Sequence, residues 1–462
     1  MRRFVVIGGG VAGLAAALRL SATEGHAVTV LEAAPEFGGR VRSFTDRHSG
    51  QELDNGQHVL MGACTAALAY LDVCGAHDRI ARLRGLSLPF HHRDGRRARL
   101  QSGRLVHPLS LLQAFLRYDM LSRAARLRTL RVAIRLRAMN SRQRRALDAR
   151  SAEEWLRGCG QRDEEIALFW VPLILATMNS TPRAASAMLF ATLLREIFLG
   201  RPDAADMLLP TSTLSAVFIR PAVAQLVRRG ARVRTRAAVT SVDVRHAEGR
   251  SAVTGVRCGD ERIEADAVIS AVPPWAFTRM LLTHTGAADA PQGRSRLADH
   301  VLPGTDLSAF VPSEILSVHV WLRQQHTTAP MTGLLGTTVQ WVFEKEKSEQ
   351  GFFQYSCTVS AAEGGETTDP RRLRESVLEG LRCAMPGLAA DDIVRILPVR
   401  EKRATFVPRP GLDALRPTAM TPISGLALAG DWTATGLPAT IEGAIRSGFA
   451  AAHTLTDEGT GW

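Results

Sequence analysis

The run Phe4-Val-Val-Ile-Gly-Gly-Gly-Val-Ala-Gly-Leu-Ala-Ala-Ala-Leu-Arg-Leu20 restricts this chain more than any other stretch. Phe4 to Ile7 is apolar enough for a buried parallel strand. Gly8, Gly10 and Gly13 then follow the G-x-G-x-x-G spacing, and an alanine- and leucine-rich segment continues as a helix. A tight turn, a pyrophosphate touching backbone, and close helix–strand packing each call for a glycine. The helix start offers unpaired N–H groups and a partial positive charge to phosphates. A second strand, Ala27 to Leu31, closes at Glu32, 19 residues beyond Gly13. Its carboxylate suits a ribose hydroxyl and repels a 2′-phosphate, which disfavours NADP. The sequence predicts a Rossmann-type α/β domain that holds a dinucleotide.

Two other segments narrow the choice. Phe37-Gly38-Gly39-Arg40-Val41-Arg42-Ser43 sets a second flexible loop and a cation beside the first. Leu428-Ala429-Gly430-Asp431-Trp432 precedes a turn and a helix opening near Thr440. Together they resemble the flavin amine oxidase and phytoene desaturase superfamily. The resemblance implies FAD bound by Gly8, Gly10, Ala12, Gly13, Glu32 and Ala33, with Gly39 and Arg40 on the second loop. It implies contacts from Gly430, Asp431, Thr440 and Ile441, the last helix aiming its N-terminus at the flavin. Val239 falls where the superfamily clasps the adenine, and Trp275 either borders the flavin or is a core tryptophan.

At 462 residues the chain exceeds what one core usually supports, so two joined domains are expected. Its net charge of +12 is almost all arginine, with lysine only at Lys345, Lys347 and Lys402. That bias can reflect base composition, and no nucleic-acid motif accompanies it, so no nucleic-acid partner is expected. The six cysteines are scattered without a C-x-x-C pair, which suits a reducing cytoplasm and argues against a metal site. None lies in the C-terminal segment, so the FAD is expected to be non-covalent. Met1-Arg2-Arg3 before an apolar run looks like a leader, but cleavage would destroy the glycine loop. The apolar run from Leu168 to Met178 is too short to span a bilayer.

Residues 1–85, 220–285 and 415–455 are expected to form a discontinuous FAD-binding domain. Residues 86–219 and 286–414 are expected to form an inserted α+β substrate domain with a mixed or antiparallel sheet. Its first hairpin turns at Arg93-Asp94-Gly95-Arg96. Leu109, Leu112, Leu116, Met120, Leu127, Leu130 and Ile134 follow helical spacing, interrupted at Arg123. Eleven arginines against two aspartates lie between Arg117 and Arg150. A basic amphipathic stretch over 109–137 suits a membrane interface, and equally a core-facing helix with a solvated arginine face. Residues 284–310 read as an irregular surface loop or lid.

Asp54-Asn-Gly-Gln-His-Val-Leu-Met-Gly-Ala63, Met178-Asn-Ser-Thr-Pro182 and Gly436-Leu-Pro-Ala-Thr-Ile441 resemble the hydroxysqualene dehydroxylases. The resemblance implies replacement of the hydroxyl of hydroxysqualene, a long-chain isoprenoid, by hydrogen, giving squalene for hopanoid synthesis. It brings Gly56, Gln57 and His58 against the flavin ring. Departure of water needs a proton, and His58 is the leading donor; it otherwise braces the loop by a hydrogen bond. Glu442 is a second candidate, or a cap or arginine partner. The alternatives are a phytoene-type desaturase, an amine oxidase, and a non-catalytic carrier of prenyl lipids. The protein is expected in the cytoplasm, peripheral on the membrane if the basic helix faces lipid.

Overall fold

The structure, a computed structural model, describes residues 1–103, 109–247, 249–285, 294–326, 329–348, 350–362 and 365–457. Its first layer is a five-stranded parallel sheet in which Arg2–Ile7 lies between His26–Leu31 and Ala267–Ser270. Arg232–Arg234 and Leu426–Leu428 form the edges. Strands from both ends of the chain and its middle thus build one sheet, which makes the domain discontinuous. Arg2–Ile7 buries Phe4 to Ile7 on both faces, as a central parallel strand must.

The Val11–Leu20 helix packs against the C-terminal helix, Ile441–Asp457. Its alanines and leucines are buried nearly all round because helices and sheet enclose it. A second five-stranded sheet, built on Val239–Ala247, covers the other face of the parallel sheet.

Seven strands form the largest sheet. Their order is Ile393–Phe406, Pro312–Leu322, Phe353–Ser360, Trp341–Glu344, Met331–Leu335, Ser87–His92 and Arg97–Gln101. All neighbours are antiparallel except Met331–Leu335 with Ser87–His92, so the expected mixed sheet is present. One face of its centre packs on Pro370–Ala384, a helix capped by Asp369 with Pro370 in its first turn. The other face meets a largely helical apolar cluster containing Trp155, Phe169, Trp170 and Phe190.

Three expectations change. The described part of 284–310 is not an irregular loop: Arg294–Arg296 pairs with Leu281–Thr285, and Leu297, Val301 and Phe310 are buried. Residues 286–293 lie outside the described residues. That pairing falls on the dinucleotide side of the boundary expected at 285, while Met207–Pro210 sits between Leu60–Met61 and Ile80–Leu83. The stripe of Leu127, Leu130 and Ile134 is not the core face of its helix. Arg123–Ala138 buries Ala125, Thr129, Val132 and Leu136, and leaves Leu127 62% and Ile134 67% exposed. Among the described residues no helix is long and apolar enough to cross a membrane.

Candidate active site

The glycines at the end of the first strand do different jobs. A Cβ on Gly13 would lie 1.9 Å from the Gly8 carbonyl oxygen, and one on Gly8 would lie 2.9 Å from that of Ala271. Gly8 also has φ +105°, which L side chains rarely adopt. A Cβ on Gly10 would meet only Gly38 O, at 3.9 Å. Two glycines therefore serve packing, and the third faces space that protein atoms do not fill. Gly38 N donates to Gly9 O at 2.8 Å, bringing the second glycine loop over the first.

Glu32 closes the His26–Leu31 strand beside this space. Its carboxylate accepts from Gly9 N at 2.6 Å and Ala34 N at 2.8 Å. Arg236 N donates to Ala34 O and Ala237 N to Glu32 O, so the chain leading to Val239 runs along the Glu32–Ala33 turn. Opposite, Arg40 pairs with the buried Asp431 at 2.6 Å, and its guanidinium also bonds Ala404 O. Trp275 is half-buried with Arg40 and Arg403 over its ring, centroids 6.0 and 5.5 Å away. Trp432, next to Asp431, is fully buried and donates to Val272 O.

The C-terminal helix begins at Ile441, where Thr440 Oγ1 accepts from Gly443 N. It follows the Leu426–Leu428 strand of the parallel sheet, as the Val11–Leu20 helix follows Arg2–Ile7. Ala12 and Gly448 meet where these two helices cross. The open Gly10 edge, an acid at the second strand tip and two helix starts fit a dinucleotide with a diphosphate.

Glu442 is not free for chemistry. It accepts from Ala66 N and Ala67 N, capping the Thr65–Cys74 helix, and pairs with Arg446, which reaches Glu196.

The Asp54–Ala63 stretch runs between the two halves of the molecule. Asn55 Nδ2 donates to Arg40 O at 3.0 Å, tying it to the second glycine loop. Asp54 Oδ1 accepts from Ser43 Oγ at 2.8 Å and Leu214 N at 2.7 Å, and its Oδ2 lies 3.7 Å from Lys345 Nζ. Asp54, Gln57, His58, Phe343 and Lys345 border a cavity of about 160 Å³. A larger groove of about 510 Å³, between the Ser87–Gln101 hairpin and the Pro370–Ala384 helix, shares none of its walls.

Burial, aided by the Lys345 ammonium, pulls the His58 imidazole from 6.5 down to about 4. That shift favours the neutral imidazole near pH 7. Among the described residues its ring makes no hydrogen bond. Burial also lowers the Lys345 ammonium, against the pull of Asp54.

Sequence reasoning missed Lys345 and His319. His319 is buried on the Pro312–Leu322 strand, its Nε2 3.0 Å from Asp54 O. The signal was available in the alternation Leu316-Ser-Val-His-Val-Trp-Leu322, which puts Ser317 and His319 on one face.

The pattern described as flavin containing amine oxidoreductase matches residues 11–456. The chain is 32% identical to hydroxysqualene dehydroxylase of Rhodopseudomonas palustris and 30% identical to that of Sinorhizobium fredii, covering 98% of each chain in both comparisons. Its fold superposes on an oxidoreductase from Methanosarcina mazei with a TM-score of 0.71 at 17% identity, over 98% of this chain and 100% of that one.

Proposed function

Because this chain belongs to the flavin-containing amine oxidoreductase family, we propose that it is an FAD-dependent hydroxysqualene dehydroxylase. Hydroxysqualene loses its hydroxyl, hydrogen takes its place, and squalene is the product. The observation that carries this reading is the end-to-end likeness to hydroxysqualene dehydroxylases, on a chain whose two glycine loops leave a cradle at Gly10.

Gly8, Gly10, Ala12, Gly13, Gly39 and Arg40 would hold the diphosphate region of FAD, with Glu32 and Ala33 at the ribose. Val239 would clasp the adenine; Gly56, Gln57, His58, Trp275, Gly430, Asp431, Thr440 and Ile441 would surround the rest. Reduced FAD, when bound, supplies the electron pair for the new C–H bond. The chain's own part is to seat a hydrocarbon, keep water out and guide departure of the hydroxyl. The helix start at Ile441 favours negative charge in front of it. The apolar cluster around Phe169 and Trp170 provides a dry wall for an isoprenoid. Neutral His58 serves as a hydrogen-bonding group at the cavity.

The substrate is almost insoluble in water; Leu109 and Leu116 are exposed on Leu109–Arg117, and Leu127 and Ile134 on the neighbouring, arginine-rich Arg123–Ala138. This face is the peripheral membrane contact in our reading, its leucines entering lipid and its arginines meeting anionic headgroups. All six cysteines are free, in keeping with a cytoplasmic setting. Chromatography of hydroxysqualene incubated anaerobically with the reduced protein tests the reaction; squalene is the expected product.

A further inference from the structure

Two helices of the parallel-sheet domain follow their strands in different ways. Arg2–Ile7 leads into Val11–Leu20 through the short glycine turn. Leu426–Leu428 leads into Ile441–Asp457 through a longer connection that holds no helix or strand. The backbone groups of such a segment must find their partners elsewhere.

Arg416 supplies several of them. Its side chain is fully enclosed, and burying a guanidinium is costly unless its N–H groups are taken. Nη1 donates to Leu437 O at 2.6 Å and to Asp413 Oδ1 at 3.1 Å. Nη2 donates to Asp431 O at 2.8 Å and to Thr435 Oγ1 at 2.7 Å. These four bonds match the four hydrogens of the two terminal nitrogens. One guanidinium thus ties both ends of the stretch from Asp431 to Leu437 together. In its middle, Ala434 N donates to the carbonyl of the adjoining Pro417 at 2.8 Å.

Thr435 carries this brace on to the helix. A Cβ on Gly443, in the first turn of Ile441–Asp457, would meet Thr440 Oγ1 at 3.2 Å and Thr435 Oγ1 at 3.3 Å. The hydroxyl that Arg416 holds therefore lies against the helix start. Asp431 is gripped twice. Arg416 takes its carbonyl, and Arg40 from the second glycine loop takes its carboxylate at 2.6 Å.

Asp431, Thr440 and Ile441 surround FAD in the reading above, and Arg416 is not among those residues. Resting on that reading, we propose that Arg416 is a positioning residue. Through Asp431, Thr435 and Leu437 it fixes where the C-terminal helix starts, and so how that start meets FAD. A segment ordered in advance spares the cost of ordering it when the cofactor binds. A helix start held toward the flavin also favours negative charge on the reduced form and raises its potential. Lysine cannot stand in fully, because one ammonium lacks the planar fork that reaches acceptors on both sides.

The test uses holoprotein diluted stepwise, with released FAD read by its fluorescence and the midpoint potential by dye-coupled reduction. Thermal unfolding of each variant accompanies both. Arg416→Met keeps an apolar stem and donates nothing. Its Kd for FAD should rise at least about tenfold, and its potential should move to more negative values. Arg416→Lys should recover only part of both. Thr435→Val should raise Kd several-fold, and it tests the brace if Arg416→Met does not fold. An unchanged Kd or an unchanged potential in folded Arg416→Met, whatever its Tm, overturns the proposal. So does an unchanged Kd in Thr435→Val. An Arg416→Lys protein equal to wild type overturns it too, because charge alone then suffices. A wild type that binds no FAD overturns the cofactor reading and the brace with it.

Discussion

Gly448 in the last helix lies so close to Ala12 in the first that a Cβ on it would stand 2.1 Å from the Ala12 carbonyl oxygen. This contact sets the spacing of the two helices, whose starts belong to the cofactor cradle in our proposal. Gly448→Val should force them apart at a cost of about 1–3 kcal/mol and weaken FAD retention. Thermal unfolding with release of flavin fluorescence reads both effects.

The two roles of the first glycine loop separate by mutation. Gly10→Leu adds a side chain where protein atoms leave room, so the apoprotein should unfold near the wild-type temperature yet hold little flavin. Gly13→Val drives a side chain into the Gly8 carbonyl and should lose stability as well as flavin. Flavin absorbance per mole of protein and the apoprotein Tm distinguish the two.

The lowered His58 imidazole predicts a pH dependence of stability. Between pH 6.5 and about 4 the unfolded chain takes up a proton there that the folded chain resists, so stability falls as pH drops through this window. His58→Gln should make that fall shallower and leave Tm above pH 7 little changed. A Tm series across the window checks it.

The membrane face is tested at its most exposed leucine and isoleucine. Leu127→Asp with Ile134→Asp should lower binding to vesicles containing anionic lipid by about tenfold or more. Stability should change by no more than about 0.5 kcal/mol per substitution, because neither side chain is buried. Vesicle sedimentation and thermal unfolding give the two values.

What could be read from the sequence was set by local geometry. Gly13 is demanded by a backbone contact with Gly8 inside one strand–turn–helix unit, and Gly8 by its positive φ, so their spacing announced the fold. Asp369-Pro370 and Gly75 are local signals of the same kind, sitting at helix ends through capping and a left-handed turn. The helix at Arg123–Ala138 misled because its neighbours pack on the smaller Ala125, Thr129 and Val132, leaving larger residues outside. Glu442 was ambiguous until Ala66 and Ala67, far away in sequence, came to meet it. His319 was hidden for a related reason. Alternation places it on a strand face, but only the fold brings Asp54 to one ring nitrogen and leaves the other bare.

The central claim is reductive removal of a hydroxyl, and a single anaerobic turnover tests it most directly. Protein carrying chemically reduced FAD is mixed with hydroxysqualene, and the lipids are resolved by gas chromatography while oxidised flavin is followed by absorbance. The account predicts squalene and oxidised flavin appearing together, one for one, with none formed by the Gly10→Leu protein. Hydroxysqualene recovered unchanged from the reduced holoenzyme, or conjugated polyenes formed by the oxidised enzyme instead, would contradict it.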